Sequence, residues 1–192
     1  MIIYIARHGQ TTGDIEHRYG GDYDDHLTEL GEQQSSKLAK NLTNKGIEQI
    51  FASPLARAQE TADFVAKELG LQVATIEGFK EQNRYGVLTG VTKDEAKEKY
   101  PEEVEKLKDV HAQVQDAEAF TDFQQRIDSA LEQASTASFG KIAIVAHGGP
   151  IRHIFRELLA SGEVDVDDCA YFSIEANEGT YKLIDSEGIA IK

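Results

Sequence analysis

The chain has 192 residues, a formal net charge of −14 and a single cysteine, Cys169. That length supports one domain spanning residues 1–192, and 34 acidic against 20 basic residues disfavour nucleic acid and anionic membranes as partners. One cysteine excludes an intrachain disulfide, and neither a signal peptide (Arg7 interrupts the first apolar run too early) nor a membrane span is expected, which leaves the cytoplasm as the expected compartment.

Residues 2–7 form a continuous apolar run that closes in Arg7-His8-Gly9, the pattern of a buried strand. Residues 9–25 read as a polar, glycine-bearing loop. Thr28 has the chemistry of an N-cap for a helix reaching about Asn44, with Leu30, Gln34, Leu38 and Leu42 on one face and Gly46 ending it. Residues 47–52 form a second short strand. Ser53-Pro54 restarts a helix, with serine as the cap and proline at the first helical position. Leu55, Ala58, Ala62, Val65 and Leu69 then recur at helical spacing, and Gly70 stops the helix.

Residues 71–76 can form a third strand, and 77–90 read as a loop. Residues 92–137 are highly charged and mostly helical, with Pro101 opening a new helix and the 93–108 run a solvated face. Phe120, Phe123, Ile127 and Leu131 mark a buried stripe later in that segment. Residues 141–146 are another apolar strand, closing in His147-Gly148-Gly149. A helix follows from Pro150 with Ile151, Ile154, Phe155, Leu158 and Leu159 inward. Residues 169–192 alternate, with a hairpin turn at 177–179. The whole predicts an α/β fold: a three-layer α/β/α domain with a mostly parallel central sheet and antiparallel pairing near the C-terminus.

A histidine at the C-terminal end of a buried strand faces the crevice where open α/β sheets bind ligands. Two strands end this way, at His8 and His147, and Arg57 stands in the first turn of a helix at a third strand-to-helix junction. Phosphoryl transfer needs cations around the phosphoryl oxygens and a nucleophile placed in line. Arg7 and Arg57 can supply forked donors for that purpose. No Cys/His cluster or HExxH pattern suggests zinc, and residues 22–25 lack the spacing of a calcium loop, so neither metal nor cofactor is expected.

The set is specific: RHG at 7–9, Thr11, Asp24-x-x-Leu27-Thr28-x-x-Gly31-x-x-Gln34, SPLxRAxxTA at 53–62, and HGG at 147–149. With it the chain resembles the histidine phosphatase superfamily, the group that includes cofactor-dependent phosphoglycerate mutases, almost end to end. The resemblance implies that His8 is a nucleophile that becomes a phosphohistidine, within a phosphate pocket of Arg7, Arg57 and His147. For that role His8 needs a bare attacking nitrogen and its other N–H held by an acceptor such as a backbone carbonyl. His147 is more useful as a donor. Gln10, Thr11, Arg84 and Gly148 are further candidate contacts, whereas His17, His26, His111 and His153 read as surface residues.

The family takes the leaving-group proton from a glutamate in a loop before a glycine. Strict spacing lands on Gln82, which has no acidic proton; Glu81, one residue earlier, is preferred over a non-acidic or displaced site. Two other departures stand out. Asp14 replaces a common asparagine, and Ala117-Glu118-Ala119 replaces a common Gly-Glu-Ser.

Three activities follow from the resemblance: metal-independent hydrolysis of a phosphomonoester, mutase-type transfer to a second hydroxyl, or phosphate binding without catalysis. Residues 92–137 lack the arginine-rich insertion of the mutases, which favours hydrolysis, although residues 85–90 resemble the mutase loop. Sugar phosphates, nucleotides, glycerate phosphates and phosphoproteins all remain open as substrates. No feature of the sequence fixes an oligomeric state.

Overall fold

A computed structural model describes residues 1–109 and 112–192; His111 lies outside the described residues. In chain order the elements are β1 (Ile2–Arg7), α1 (Thr12–Ile15), α2 (Glu29–Leu42), β2 (Gln49–Ala52), α3 (Ala56–Leu69) and β3 (Val73–Thr75). There follow α4 (Lys93–Lys99), α5 (Pro101–Lys106), α6 (Phe120–Ser135), β4 (Lys141–Ala146) and α7 (Gly148–His153), then β5 (Val164–Asn177) and β6 (Thr180–Ile191). The helix begun by α7 continues as a π turn over Ile154–Leu158.

The six strands make one sheet in the order β3-β2-β4-β1-β5-β6. β1, β2, β3 and β4 run parallel, whereas β5 pairs antiparallel with both β1 and β6, as the sequence pattern predicts. Alternation along the strands divides the core. Ile3, Ile5, Ile142 and Ile144 pack on one face with Phe123, Ile127 and Leu131 of α6 and with Ile151 of α7. On the other face Ala6, Ala52, Ala143 and Val145 meet Leu38 and Leu42 of α2 and Ala58, Ala62 and Val65 of α3. The small residues on that second face let two helices pack close to the strand ends. A satellite cluster around Leu88, Ala96 and Val114 anchors the segment between β3 and α6.

Most local signals act as the sequence indicates. Thr28 Oγ1 accepts the Gly31 N–H, and Gly70 ends α3 at φ +67°. Between β5 and β6 both turn residues have positive φ, Glu178 at +45° and Gly179 at +78°.

Several expectations need correction. Ser53 does not cap α3: Leu55 holds the N-cap position with no side-chain bond, and Asp24 Oδ1 from the distant loop accepts the Ala56 N–H at 2.9 Å. Residues 9–25 are not wholly loop, because Thr11 and Asp14 form a capping box around α1. Leu30 and Phe120 are exposed, at the first turns of α2 and α6, where the chain has not yet reached the core. The last helix begins at Gly148 rather than Pro150, and the antiparallel strand starts at Val164. His153 is not a surface residue: it is 1% exposed, with Nε2 bonded to Asp128 Oδ1 at 2.7 Å.

Candidate active site

Register brings the histidines together. Arg7 lies opposite Ala146 in the parallel β1–β4 pair, and the His8 N–H continues the ladder to Ala146 O at 3.1 Å. His8 and His147 therefore leave adjacent strands side by side, with ring centroids 5.1 Å apart in an edge-on arrangement. On the other side of β4, Ala52 pairs with Val145 and Ser53 N–H bonds Val145 O, which delivers α3 and Arg57 to the same crevice.

The loop after β1 is held by the residues of the 24–34 motif. Thr28 N–H donates to Gln10 O at 3.0 Å, and Gln34 Oε1 accepts the Gln10 N–H at 2.8 Å. Here two backbones approach closely: a Cβ on Gly9 would lie 2.5 Å from Gly31 O. Thr61, from the SPLxRAxxTA helix, accepts the Gly9 N–H and donates to Arg57 O.

His8 is buried, and its bonds define its tautomer. Gly9 O can only accept, so Nδ1 at 2.8 Å from it carries the hydrogen. Nε2 is then unprotonated, and its lone pair accepts the Arg57 Nε–H at 3.1 Å. Burial first, then the charges of Arg57 and Arg7, hold His8 well below the ordinary value of 6.5; the bond to Gly9 opposes them. His147 is 0% exposed and likewise held well below 6.5, by burial and then Arg57. Both imidazoles are neutral near pH 7.

The two arginines are oriented by carboxylates that nothing in the sequence marked. Arg57 donates from Nη1 to Asp25 and Tyr23 O and from Nη2 to Gly21 O, each at 2.7 Å. This leaves its Nε edge toward His8. Arg7 donates to Val166 O at 2.7 Å and pairs with Asp168 at 3.1 Å. Asp168 belongs to the irregular stretch of β5 between Val166 and Tyr171, where Cys169 adopts φ +54° and its N–H bonds His8 O.

A cavity of about 130 Å³ opens in front of His8, lined also by Arg7, Thr11, Arg57, Glu81 and Gly148. Glu81 reaches it because Gly149 has no side chain: a Cβ there would fall 2.1 Å from Glu81 Oε1. The Gly149 and Gln82 N–H groups donate to its carboxylate at 3.0 and 2.8 Å. Gln82 instead faces the wider cleft outside, of about 610 Å³. Arg152 lines both spaces, its guanidinium resting against Gly148, four residues earlier on the same helical face. That i,i+4 spacing was the signal by which the sequence could have revealed it.

Two candidates lie elsewhere. Gln10 Oε1 accepts the Thr28 hydroxyl, so this side chain braces the loop. Arg84 is exposed over the Tyr85 ring on the rim of the outer cleft. Asp14 lines the cavity, but one carboxylate oxygen accepts both the Thr11 N–H and the Thr11 hydroxyl, and this fixes the loop. Glu118, in the segment that departs from the family pattern, pairs with Arg126 and accepts the Asn83 N–H. Arg126 also donates to Gly78 O and Lys80 O, and together they clamp the loop that carries Glu81. Among the described residues, no group of three His, Cys, Asp or Glu is placed to hold a metal ion, and no helix is long and apolar enough to cross a membrane.

An unprotonated imidazole nitrogen held by Arg57, on a histidine that lines a small cavity with two oriented arginines and a carboxyl group, can accept a phosphoryl group once that bond is released, and the carboxyl group can protonate what leaves. The family model described as histidine phosphatase superfamily (branch 1) matches residues 3–186. The chain is 31% identical over 165 residues to the Yersinia pestis protein named "Probable phosphoglycerate mutase GpmB", covering 83% of this chain and 75% of that one. YhfR of Bacillus stearothermophilus superposes with a TM-score of 0.83 at 27% identity, covering 97% of this chain and 96% of that chain. The alpha-ribazole phosphatase of Shigella flexneri superposes with a TM-score of 0.82 at 24% identity over 96% and 95%.

Proposed function

The chain belongs to the histidine phosphatase superfamily, and from that premise we propose that it hydrolyses a phosphomonoester through a phosphohistidine on His8. The observation that carries this reading is the His8 tautomer, with Nδ1–H spent on Gly9 O and Nε2 unprotonated, its lone pair held by the Arg57 Nε–H. Nε2 forms the P–N bond as the P–O bond to the alcohol breaks, and Glu81 gives its proton to the departing oxygen. The Arg57 Nε–H, released from Nε2, then donates its hydrogen bond to a phosphoryl oxygen, as do Arg7 and His147, with the guanidinium keeping its proton. In the second step water attacks phosphorus, the P–N bond breaks, and the Glu81 carboxylate takes the water proton.

A cavity of about 130 Å³ suits a phosphoryl group, and the outer cleft of about 610 Å³ has room for the rest of a small phosphorylated substrate or the side chain of a phosphoprotein. A cytoplasmic setting, in which Cys169 stays a thiol, fits this chemistry. Mutase-type transfer is the second reading, favoured by the name of the 31% identical relative; it needs the same phosphohistidine but hands the group back to a hydroxyl of the ligand.

The test is rapid quench with ³²P-labelled phosphomonoesters in the presence of a chelator. The expected result is an acid-labile, base-stable phosphoenzyme that forms without added metal, is absent in His8→Ala, and yields inorganic phosphate. Return of the label to a second position of the ligand would establish the mutase. An acid-stable phosphoenzyme, or a requirement for added magnesium or zinc, would overturn both.

A further inference from the structure

Ser53 follows the last residue of β2 and sits against His147, and each is 0% exposed. Its Oγ stands 2.7 Å from His147 Nε2, and the Leu55 N–H also points at that oxygen, at 3.3 Å. An amide N–H can only donate, so the Leu55 contact occupies a serine lone pair and leaves the single hydroxyl hydrogen to be placed. Among the described residues His147 Nε2 is the only acceptor bonded to this hydroxyl. A hydroxyl hydrogen pointed anywhere else would be buried without a partner, a costly arrangement.

We infer that Ser53 is a positioning residue: its hydroxyl donates to Nε2 and thereby fixes His147 as the Nδ1–H tautomer. A neutral imidazole carries one hydrogen, so this bond decides which nitrogen can donate to a ligand. Nδ1 is buried and bonded to no described protein group. A phosphoryl oxygen in front of His8, whose ring centre is 5.1 Å away, would satisfy it. The opposite tautomer would spend the only N–H on serine and turn a lone pair toward phosphoryl oxygens, which repel it. Serine at the head of the SPLxR segment is thus explained by its hydrogen and not by helix capping, because the helix is capped by Asp24. The catalytic consequence rests on the phosphohydrolase reading; the tautomer does not.

Long-range ¹H–¹⁵N correlation spectra of histidine-labelled protein, assigned with His147→Gln, test it directly. Wild-type protein is expected to carry the His147 hydrogen on Nδ1, and orthovanadate should shift that proton. Ser53→Ala should move the hydrogen to Nε2 and lower kcat at least about tenfold, with a smaller change in KM. Ser53→Thr, which keeps the hydroxyl, should restore both. A wild-type His147 protonated on Nε2 overturns the inference even if Ser53→Ala does not fold, and so does a Ser53→Ala protein with unchanged tautomer and kcat. If the tautomer is as inferred but the wild-type protein turns over no phosphomonoester, it is the hydrolase reading that fails.

Discussion

Glu81 and Gln82 are neighbours with opposite surroundings. Family spacing points to Gln82, yet Glu81 alone of the two lines the cavity in front of His8, with its carboxylate tied to the Gly149 N–H. If Glu81 protonates the leaving oxygen, its importance must follow how badly that oxygen needs a proton. Alkoxides leave poorly without one, and nitrophenolate leaves unaided. Positioned acid catalysis is worth about 10²–10⁴-fold. Glu81→Gln should therefore slow alkyl phosphate hydrolysis by about that factor and nitrophenyl phosphate hydrolysis far less, whereas Gln82→Ala should show no such divergence. Parallel losses on both substrates in steady-state assays would reduce Glu81 to a wall of the pocket.

The loop between β3 and α4 presents that carboxylate without lying in a regular element, so its rigidity must come from elsewhere. Arg126 of α6 supplies it, through two bonds to loop carbonyls and a paired Glu118 that also receives the Asn83 N–H. Arg126 does not line the cavity. Its replacement by methionine keeps the aliphatic stem in place and removes the donors. We expect Arg126→Met to reproduce part of the Glu81→Gln pattern, with about tenfold or greater loss on alkyl phosphates and a smaller loss on nitrophenyl phosphate, because misplacement of an acid costs most where the acid matters. Hydrogen exchange across residues 78–90 should quicken in the same variant. If exchange is unchanged and both substrates respond alike, the clamp is not what positions the loop.

For the molecule as a whole, two buried neutral imidazoles tie stability to pH. In the unfolded chain His8 and His147 protonate near the ordinary value of 6.5; in the native state burial and the neighbouring arginines hold both well below it. As pH falls through 6.5 the unfolded state binds more protons, so stability falls, and it is fully restored above that pH. Each such group contributes up to about 1.4 kcal/mol per pH unit inside its window. His26 is shifted the other way by Glu60, but it is exposed and screened. Urea midpoints between pH 7.5 and 5.5 should therefore drop, and His147→Gln should lessen the slope whatever it does to the midpoint itself. An unaltered slope would show that the buried histidines are not its source.

Strand and helix periods, the Thr28 cap and the Gly70 stop were legible because each is written within a turn or two of one element. The convergence of the two histidine-ended strands could also be anticipated, since parallel buried strands aim their C-terminal residues at one crevice, whereas their direct pairing was decided by the fold. What folding decided are contacts between residues far apart in the chain: Asp25 with Arg57, Asp168 with Arg7, Asp24 with the start of α3, Ser53 with His147. A carboxylate or hydroxyl in a loop has no local pattern that reveals which buried donor it will meet. The same holds for the hydrogen on His8. Its residue type was plain from RHG at the end of an apolar run, and a backbone carbonyl could be expected to hold one N–H, but that the carbonyl is Gly9's and that the Arg57 guanidinium of α3 comes within 3.1 Å of the other nitrogen was decided by the folded loop and helix.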